Sequence, residues 1–215
     1  MARIKSQVRY FHLALLKLLV FANLGICSAK GAEWPTYMHD TYRSGVASCS
    51  LHYPLSPIWV FKPKLPPRPA WAGMEPKESY SWGKHEYNKY DFDEAFHVAV
   101  SNGHVYFGSS ANNKLYCLSA ETGRILWTFF TGAAIRFAPT VYCGKIYFGS
   151  DDGFVYCLDG RTGKLNWKFM AALNRRKLLG NGKMHSRWPV RTSVLVDEGT
   201  VYFAAGLFPA DGVCL

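Results

Sequence analysis

The sequence has few charged residues and lacks the motifs of several common sites. Charged residues are only 19% of the 215 residues and aromatic residues are 16%, so an ordered chain with a large core is expected. No C-x-x-C pair occurs, and no histidine lies at zinc spacing from a cysteine pair, which argues against a zinc site. A Ser-His-Asp order, a glycine-rich phosphate loop and paired catalytic carboxylates are also missing.

The positive charge is spread along the chain. The formal net charge is +10, and four basic residues without an acidic neighbour, Arg3, Lys5, Arg9 and Lys17, lie within the first 29 residues. The other basic residues are scattered and form no stripe, so specific binding of nucleic acid is not expected.

The N-terminus has the features of an export signal. A basic start is followed by an apolar run, Leu13 to Ile26, and by small residues that suit cleavage after Ala29. We predict a signal peptide at 1–29 and a location in the periplasm or outside the cell. The alternatives are an uncleaved anchor helix and a lipid anchor at Cys27, and we expect membrane contact only through these segments.

A repeat of about 40 residues organises the rest of the chain. "YCLSAETGRILW", 116–127, matches "YCLDGRTGKLNW", 156–167, and a third copy begins with "VYFAAG", 201–206. Each copy has the pattern of four short strands separated by turn signals, in the second copy at 138–142, 145–149, 154–158 and 164–169. The turn at Asp152-Gly153 suits a tight hairpin.

A four-stranded unit of this size cannot bury both of its faces alone. Stacking the copies around an axis buries them, so we predict an all-β fold, a β-propeller of four-stranded antiparallel blades, about eight when complete. A linear solenoid is the alternative.

The predicted layout has three parts after the signal peptide. It consists of an N-terminal segment, 30–64, an aromatic insertion loop, 65–95, and the repeats, 96–215, with blades at 96–132 and 133–172 and a partial blade at 189–215. Within the first part, "PIWVFKP", 57–63, is predicted to be a lone strand that closes the ring. Because the third copy stops inside its third strand, we expect an N-terminal fragment of a longer propeller.

The pattern "YCLDGRTGKLNW" resembles the pyrroloquinoline quinone (PQQ) repeat, and "WPTYMHDTYRSG", 34–45, resembles the start of exported bacterial proteins of that family. The resemblance covers about 97–215 and implies the propeller fold. Some members of the family are dehydrogenases that hold PQQ and calcium at the propeller axis, whereas others are binding scaffolds without a cofactor. The dehydrogenases often have two adjacent cysteines, and this chain has no Cys-Cys.

The resemblance therefore favours an exported binding or scaffold module, with no cofactor and no catalysis in this piece, whose partner is an envelope protein or a small ligand. The alternative is a quinoprotein dehydrogenase that oxidises alcohols or sugars with PQQ and calcium. Fold alone does not decide between them.

Residues that recur in both copies are interpreted as structural. Trp127 and Trp167 are expected to dock one blade on the next, and Gly123 and Gly163 to form turns. Cys117 and Cys157 share one repeat position, where packing between sheets is expected and a redox pair is the alternative.

Asp151 and Asp152 do not recur, because the first copy has Ser110 and Ala111 near the same place. We interpret the two acids as residues that shape a hairpin tip, and the alternative is calcium ligation.

Unrepeated polar residues are the better functional candidates. Those at the starts of the first strands are predicted to lie near the axis, as a funnel that binds an anion or a carboxylate or as salt bridges between blades: Asp93, Glu94, Arg136 and Arg191. Two loops are candidates for partner contacts, the aromatic insertion with Trp71, Trp82 and His85, and the insertion at 174–187 with His185, Arg187 and the adjoining Trp188.

Overall fold

The part of the chain that the structure describes is built from antiparallel strands. The computed structural model describes residues 33–47, 49–50, 53–70, 95–180, 182–207 and 212–214, all of which belong to the unit Gly31–Leu215. Twelve strands and no helix occur in these ranges, which confirms the all-β prediction. Accordingly, none of the described residues forms a helix with the length and hydrophobicity needed to cross a membrane. The predicted signal peptide, 1–29, lies outside them.

Two complete blades follow one another. The first contains β1 (Val98–Ser101), β2 (His104–Gly108), β3 (Lys114–Ser119) and β4 (Ile125–Phe130), and the second contains β5 (Thr140–Tyr142), β6 (Lys145–Gly149), β7 (Phe154–Asp159) and β8 (Leu165–Met170). In each sheet the order of strands follows the sequence and every pair is antiparallel. The predicted four-stranded blades are confirmed. The strand predicted from residue 138 begins at Thr140, after Pro139, which has no N–H to donate to a ladder.

Two shorter hairpins follow the second blade. The insertion before the third copy forms β9 (Lys177–Gly180) and β10 (Lys183–Ser186), a sheet of two strands. The third blade begins with β11 (Leu195–Asp197) and β12 (Thr200–Tyr202), and a bridge between Ala205 and Cys214 continues it.

The tightest turns join the first two strands of each blade. Asn102-Gly103, Cys143-Gly144 and Glu198-Gly199 have positive φ at both residues, as a two-residue type I′ hairpin requires. The tight hairpin predicted at Asp152-Gly153 is wrong in this respect. Four residues, Ser150 to Gly153, separate β6 from β7, and among them only Gly153 has a positive φ, +87°.

The hydrophobic core lies between blades. Ile146 and Phe148 pack toward the first blade, in a cluster with Ile135 and Leu115. Tyr147, Val155 and Cys157 point the other way and pack with residues that lead into the third blade. Strand alternation therefore gives each sheet two buried faces, as the stacked arrangement demands.

A glycine at the end of each second strand lets the next blade approach. A Cβ on Gly108 would lie 2.1 Å from a side-chain carbon of Ile135, and one on Gly149 would lie 2.3 Å from a side-chain carbon of Val190. These distances leave no room for a side chain, so the repeated Gly-Ser sequence marks the closest contact between successive blades.

The repeated tryptophan of one blade packs on the Thr-Gly turn of the next blade. Trp127 donates its Nε1–H to the carbonyl of Gly160 at 3.1 Å, and its ring lies against Gly163, whose φ is +69°. A Cβ at that glycine would come within 2.6 Å of the ring. The repeated Thr-Gly turn and the repeated tryptophan are thus two halves of one contact.

The N-terminal segment supplies the same contact to the first blade. Trp59 donates to the carbonyl of Ala120 at 2.8 Å and lies 2.6 Å from a Cβ placed on Gly123. The segment 57–63 forms no strand, contrary to the prediction, although its tryptophan occupies the site that Trp127 occupies one blade later. Ring closure by this segment stays a prediction.

The segment that starts at Glu33 crosses the inner strands of successive blades. Trp34 exchanges two backbone hydrogen bonds of 2.8 Å with Val100 of β1. The carbonyl of Pro35 accepts the N–H of Val141 in β5 at 2.7 Å. Arg43 then reaches the carbonyl of Ser193, just before β11, at 3.3 Å. One segment, which turns at residues 36–42, therefore links three blades.

The glycine contact generates a stability prediction. Gly149→Ala should lower the free energy of unfolding by about 1–3 kcal/mol, because the added methyl group overpacks the contact with Val190. Urea denaturation monitored by tryptophan fluorescence measures this change.

The double variant Gly149→Ala with Val190→Ala should destabilise by less than the sum of the two single variants, because the second substitution removes the Val190 carbon that lies closest to the added methyl group. Additive losses would contradict the proposed contact.

Candidate functional site

A buried carboxylate joins the second and third blades at the inner ends of their strands. Asp151 lies in the turn between β6 and β7 and is only 2% exposed. Its Oδ2 accepts the Nε–H of Arg136 at 2.7 Å, and Arg191 binds both oxygens, with Nε 2.8 Å from Oδ1 and Nη2 3.0 Å from Oδ2. These charge-assisted bonds fix three chain segments at one point.

Backbone hydrogen bonds hold the turn that carries this carboxylate in place. The N–H of Asp151 donates to the carbonyl of Ala134 at 2.8 Å, and its carbonyl accepts the N–H of Ser186 at 2.7 Å. The turn is therefore bound on one side to the segment before β5 and on the other to the end of β10. The calcium role considered for Asp151 does not suit this geometry, because arginine N–H groups occupy both carboxylate oxygens.

Two of the four predicted funnel residues lie among the described residues. Arg136 and Arg191 come together on Asp151, for which the repeat pattern predicts a role in shaping a turn. Asp93 and Glu94 lie outside the described residues.

Lys183 and the backbone of Arg68 connect this site to the first blade. Lys183 donates to the carbonyls of Ser110, at 2.5 Å, and Ala111, at 2.6 Å, so the hairpin insertion is tied to the first blade. The N–H of Arg68 donates to the Ser110 hydroxyl at 2.7 Å, and its carbonyl accepts Nη1 of Arg136 at 3.0 Å. Burial, followed by the nearby charges of Arg68 and Arg136, lowers the pKa of Lys183, and the charge of Asp151 opposes this shift.

A small cavity opens at this point. Three cationic residues, one acid and seven other residues line it: Arg136, Lys183, Arg191, Asp151, Pro69, Ala70, Ala133, Ala134, Gly180, Met184 and His185. Three cations and one carboxylate line it, so its field favours an anionic group.

The predicted partner residues of the insertion fall in different environments. His185 lines the cavity, and its Nδ1 lies 2.8 Å from the carbonyl of Ser186. Arg187 lies over the ring of Trp188 at 5.4 Å. Trp188 itself is 5% exposed and belongs to the core between the second and third blades, which removes it from the surface residues that could contact a partner. Trp71, Trp82 and His85 lie outside the described residues.

Asp152 has a structural role that recurs in the first blade. Its Oδ2 accepts the hydroxyl of Tyr156 at 2.6 Å and the N–H of Gly132 at 2.8 Å. Burial, together with this hydrogen bond, raises the pKa of Tyr156. In the first blade, Asn112 donates to the hydroxyl of Tyr116 at 2.7 Å.

The counterpart of Asp152 is therefore Asn112 and not Ser110 or Ala111. The extra residue in the first turn hides this match in the sequence.

Within the described ranges, no group of three or more His, Cys, Asp or Glu side chains is arranged to hold a metal ion.

The repeated cysteines lie in separate interfaces. Cys117 packs between the first and second blades, Cys157 packs between the second and third, and both are free thiols. Burial raises the pKa of Cys117 to about 12 and also raises the pKa of Cys157. The arrangement is that of two small apolar side chains and not of a redox pair.

Comparison with known proteins identifies a family. Residues 71–212, more than half of the chain, match the family described as the outer membrane protein assembly factor BamB. No curated protein sequence matches the chain.

Solved structures of several larger proteins are similar to parts of the chain. Quinohemoprotein alcohol dehydrogenase ADHIIG from Pseudomonas putida HK5 is 21% identical over 51% of this chain and 16% of its own, with a TM-score of 0.43. The corresponding enzyme from Comamonas testosteroni is 21% identical over 51% of this chain and 17% of its own, with a TM-score of 0.43.

BamB from Moraxella catarrhalis is 14% identical over 58% of this chain and 50% of its own, with a TM-score of 0.35. The matched part therefore corresponds to half or less of each of these three molecules.

The carboxylate generates a prediction about stability. Asp151→Asn should reduce the free energy of unfolding by about 3–5 kcal/mol, because it leaves two buried guanidinium charges without this carboxylate. Urea denaturation measures the loss. Asp197→Asn, on the exposed end of β11, is the matched control and should change little. Equal effects of the two substitutions would refute the role of Asp151.

The cysteines generate a prediction about reactivity. Under mildly alkaline native conditions, the exposed thiols of Cys49 and Cys143 should react with iodoacetamide, whereas the buried thiols of Cys117 and Cys157 should stay unmodified. Mass spectrometry of the digested protein reads each site. All four should react after denaturation in urea, and rapid native labelling of Cys117 would contradict its burial.

Proposed function

Since the chain belongs to the PQQ-like repeat propeller family of the outer membrane protein assembly factor BamB, we propose that it acts as an exported binding or scaffold module and not as an enzyme. The observation that supports the proposal is that Asp151 binds arginines of two blades. This acid sits where the inner ends of the blades meet, and both of its carboxylate oxygens serve to join blades. In this region the ionic chemistry builds an interface, as a scaffold requires.

The proposed binding site is the cavity beside Asp151. Arg136, Lys183 and Arg191 give its wall an excess of positive charge, and an acidic side chain or a terminal carboxylate is the group that this field favours. The proposed partner is an envelope protein that offers such a group. A small carboxylate ligand is the alternative occupant of the same site.

Photo-crosslinking tests the partner. A benzophenone amino acid in place of Ala70, on the rim of the cavity, should capture an envelope protein when the chain is exported in bacterial cells and irradiated. Ile125, exposed on the outer strand of the first blade, is the control position and should capture none. Lys183→Gln should reduce the captured product several-fold, because it removes one of the three cations of the wall.

The same protein distinguishes the dehydrogenase alternative. After incubation with PQQ and calcium followed by gel filtration, we expect no retained quinone absorbance and no dye-linked oxidation of alcohols or sugars. Retained quinone with alcohol oxidation would overturn the scaffold proposal in favour of a quinoprotein dehydrogenase.

A further inference from the structure

The hairpin of β9 and β10 combines basic and apolar side chains on a small exposed surface. Residues 174–187 include five basic residues and no acidic residue: Arg175, Arg176, Lys177, Lys183 and Arg187. The seven residues from Leu173 to Leu179 are all exposed. The basic residues of the chain are therefore not uniformly scattered, since this insertion concentrates them.

The hairpin has an inner face and an outer face. Its register pairs Lys183 with Gly180 and His185 with Leu178, and this side borders the cavity through Lys183 and His185. Leu179 pairs directly with Met184 and shares its side of the ribbon with Lys177. Leu179 is 74% exposed, and Met184, which also touches the cavity, is 52% exposed. This side therefore presents an apolar pair to solvent beside Lys177, while Ser186 at its other end is buried.

The hairpin is fixed to the blades at both of its ends. Lys183, next to its turn, donates to two carbonyls of the first blade, and the N–H of Ser186, at the other end, donates to the carbonyl of Asp151. Arg187 donates its N–H to the carbonyl of Arg176 at 3.0 Å, which closes the insertion. The outer face is therefore held in its exposed position before any ligand arrives, which reduces the entropy lost on binding.

We propose that this outer face binds the surface of an anionic phospholipid bilayer. Leu179 and Met184 insert among the headgroups and upper acyl chains, while Arg175, Arg176 and Lys177 bind lipid phosphates. A surface of one charge sign that borders exposed aliphatic side chains is complementary to such a bilayer.

A protein partner fits the same face less well. A stable protein interface buries about 800 Å² on each partner, usually around an aromatic anchor. The hairpin is a separate ribbon of two strands with four residues each, and its exposed apolar residues are Leu178, Leu179 and Met184. This small aliphatic tip suits a fluid surface better than a shaped pocket.

Hydrogen exchange with the full chain tests the proposal. The backbone amides of β9 and β10 should gain protection with vesicles of equal parts phosphatidylcholine and phosphatidylglycerol, but not with vesicles of phosphatidylcholine alone. The protection should weaken as salt is added. Because this readout is local to the hairpin, binding of vesicles by the apolar N-terminal run cannot imitate it.

Two variants separate the contributions of charge and apolar area. The triple variant Arg175→Gln, Arg176→Gln and Lys177→Gln should lower the vesicle partition coefficient measured at the hairpin by about a hundredfold, since each basic residue contributes about fivefold near an anionic surface. Leu179→Ser with Met184→Ser should lower it by about tenfold, because less apolar area leaves water.

The matched control removes the same charge elsewhere. Arg124→Gln, Arg161→Gln and Lys164→Gln alter exposed residues of the two blades and should leave hairpin protection unchanged. An equal loss in this control, equal protection by neutral vesicles, or no protection by anionic vesicles would each overturn the proposal. Protection by polyglutamate without protection by anionic vesicles would also overturn it and would assign the face to an acidic protein.

Because crosslinking at Ala70 reports on the cavity, this proposal and the scaffold proposal succeed or fail separately.

Discussion

The structure depends on the close contact between one four-stranded sheet and the next. Each blade has apolar side chains on both faces, so a blade alone would leave both sets exposed to water. Gly108 and Gly149 allow the contact, because a Cβ at either position would overlap the side chain of Ile135 or Val190. Trp127, seated on the Thr-Gly turn of the following blade, closes the outer end of the same interface.

The same contact explains why the inner ends of the strands can hold buried charge. When the blades stack, the segments before β5 and β11 converge with the turn after β6, and Asp151 meets Arg136 and Arg191 there. Burying three charges costs desolvation energy. The five hydrogen bonds of Asp151 offset this cost only if the segments that form them keep their positions. The site is therefore specific to this order of blades, although a generic repeat builds each blade.

The blades could be predicted from the repeat, because a residue that recurs at one position in every copy serves the shared fold. Comparing the first and second copies did not identify the site at Asp151. Asp151 differs from the first copy and was assigned to a turn, since no single sequence reveals which distant arginines will reach a carboxylate. Asn112 was missed because one extra residue shifts the first turn, although Tyr116 and Tyr156 mark the common register. Gly180-Asn181-Gly182 between two basic-apolar runs was the available signal for the hairpin that became β9 and β10.

Trp59 has a consequence for the order of folding. It covers the turn of the first blade with a side chain that precedes that blade in the sequence, so a chain that emerges N-terminus first presents the cover before the surface that it covers. The first blade can thus complete one of its interfaces without waiting for any later blade. Each new blade then meets a finished surface on its N-terminal side, and the growing chain exposes one unpaired sheet face at a time. Assembly from the N-terminus toward the C-terminus keeps the aggregation-prone surface of the incompletely folded protein small.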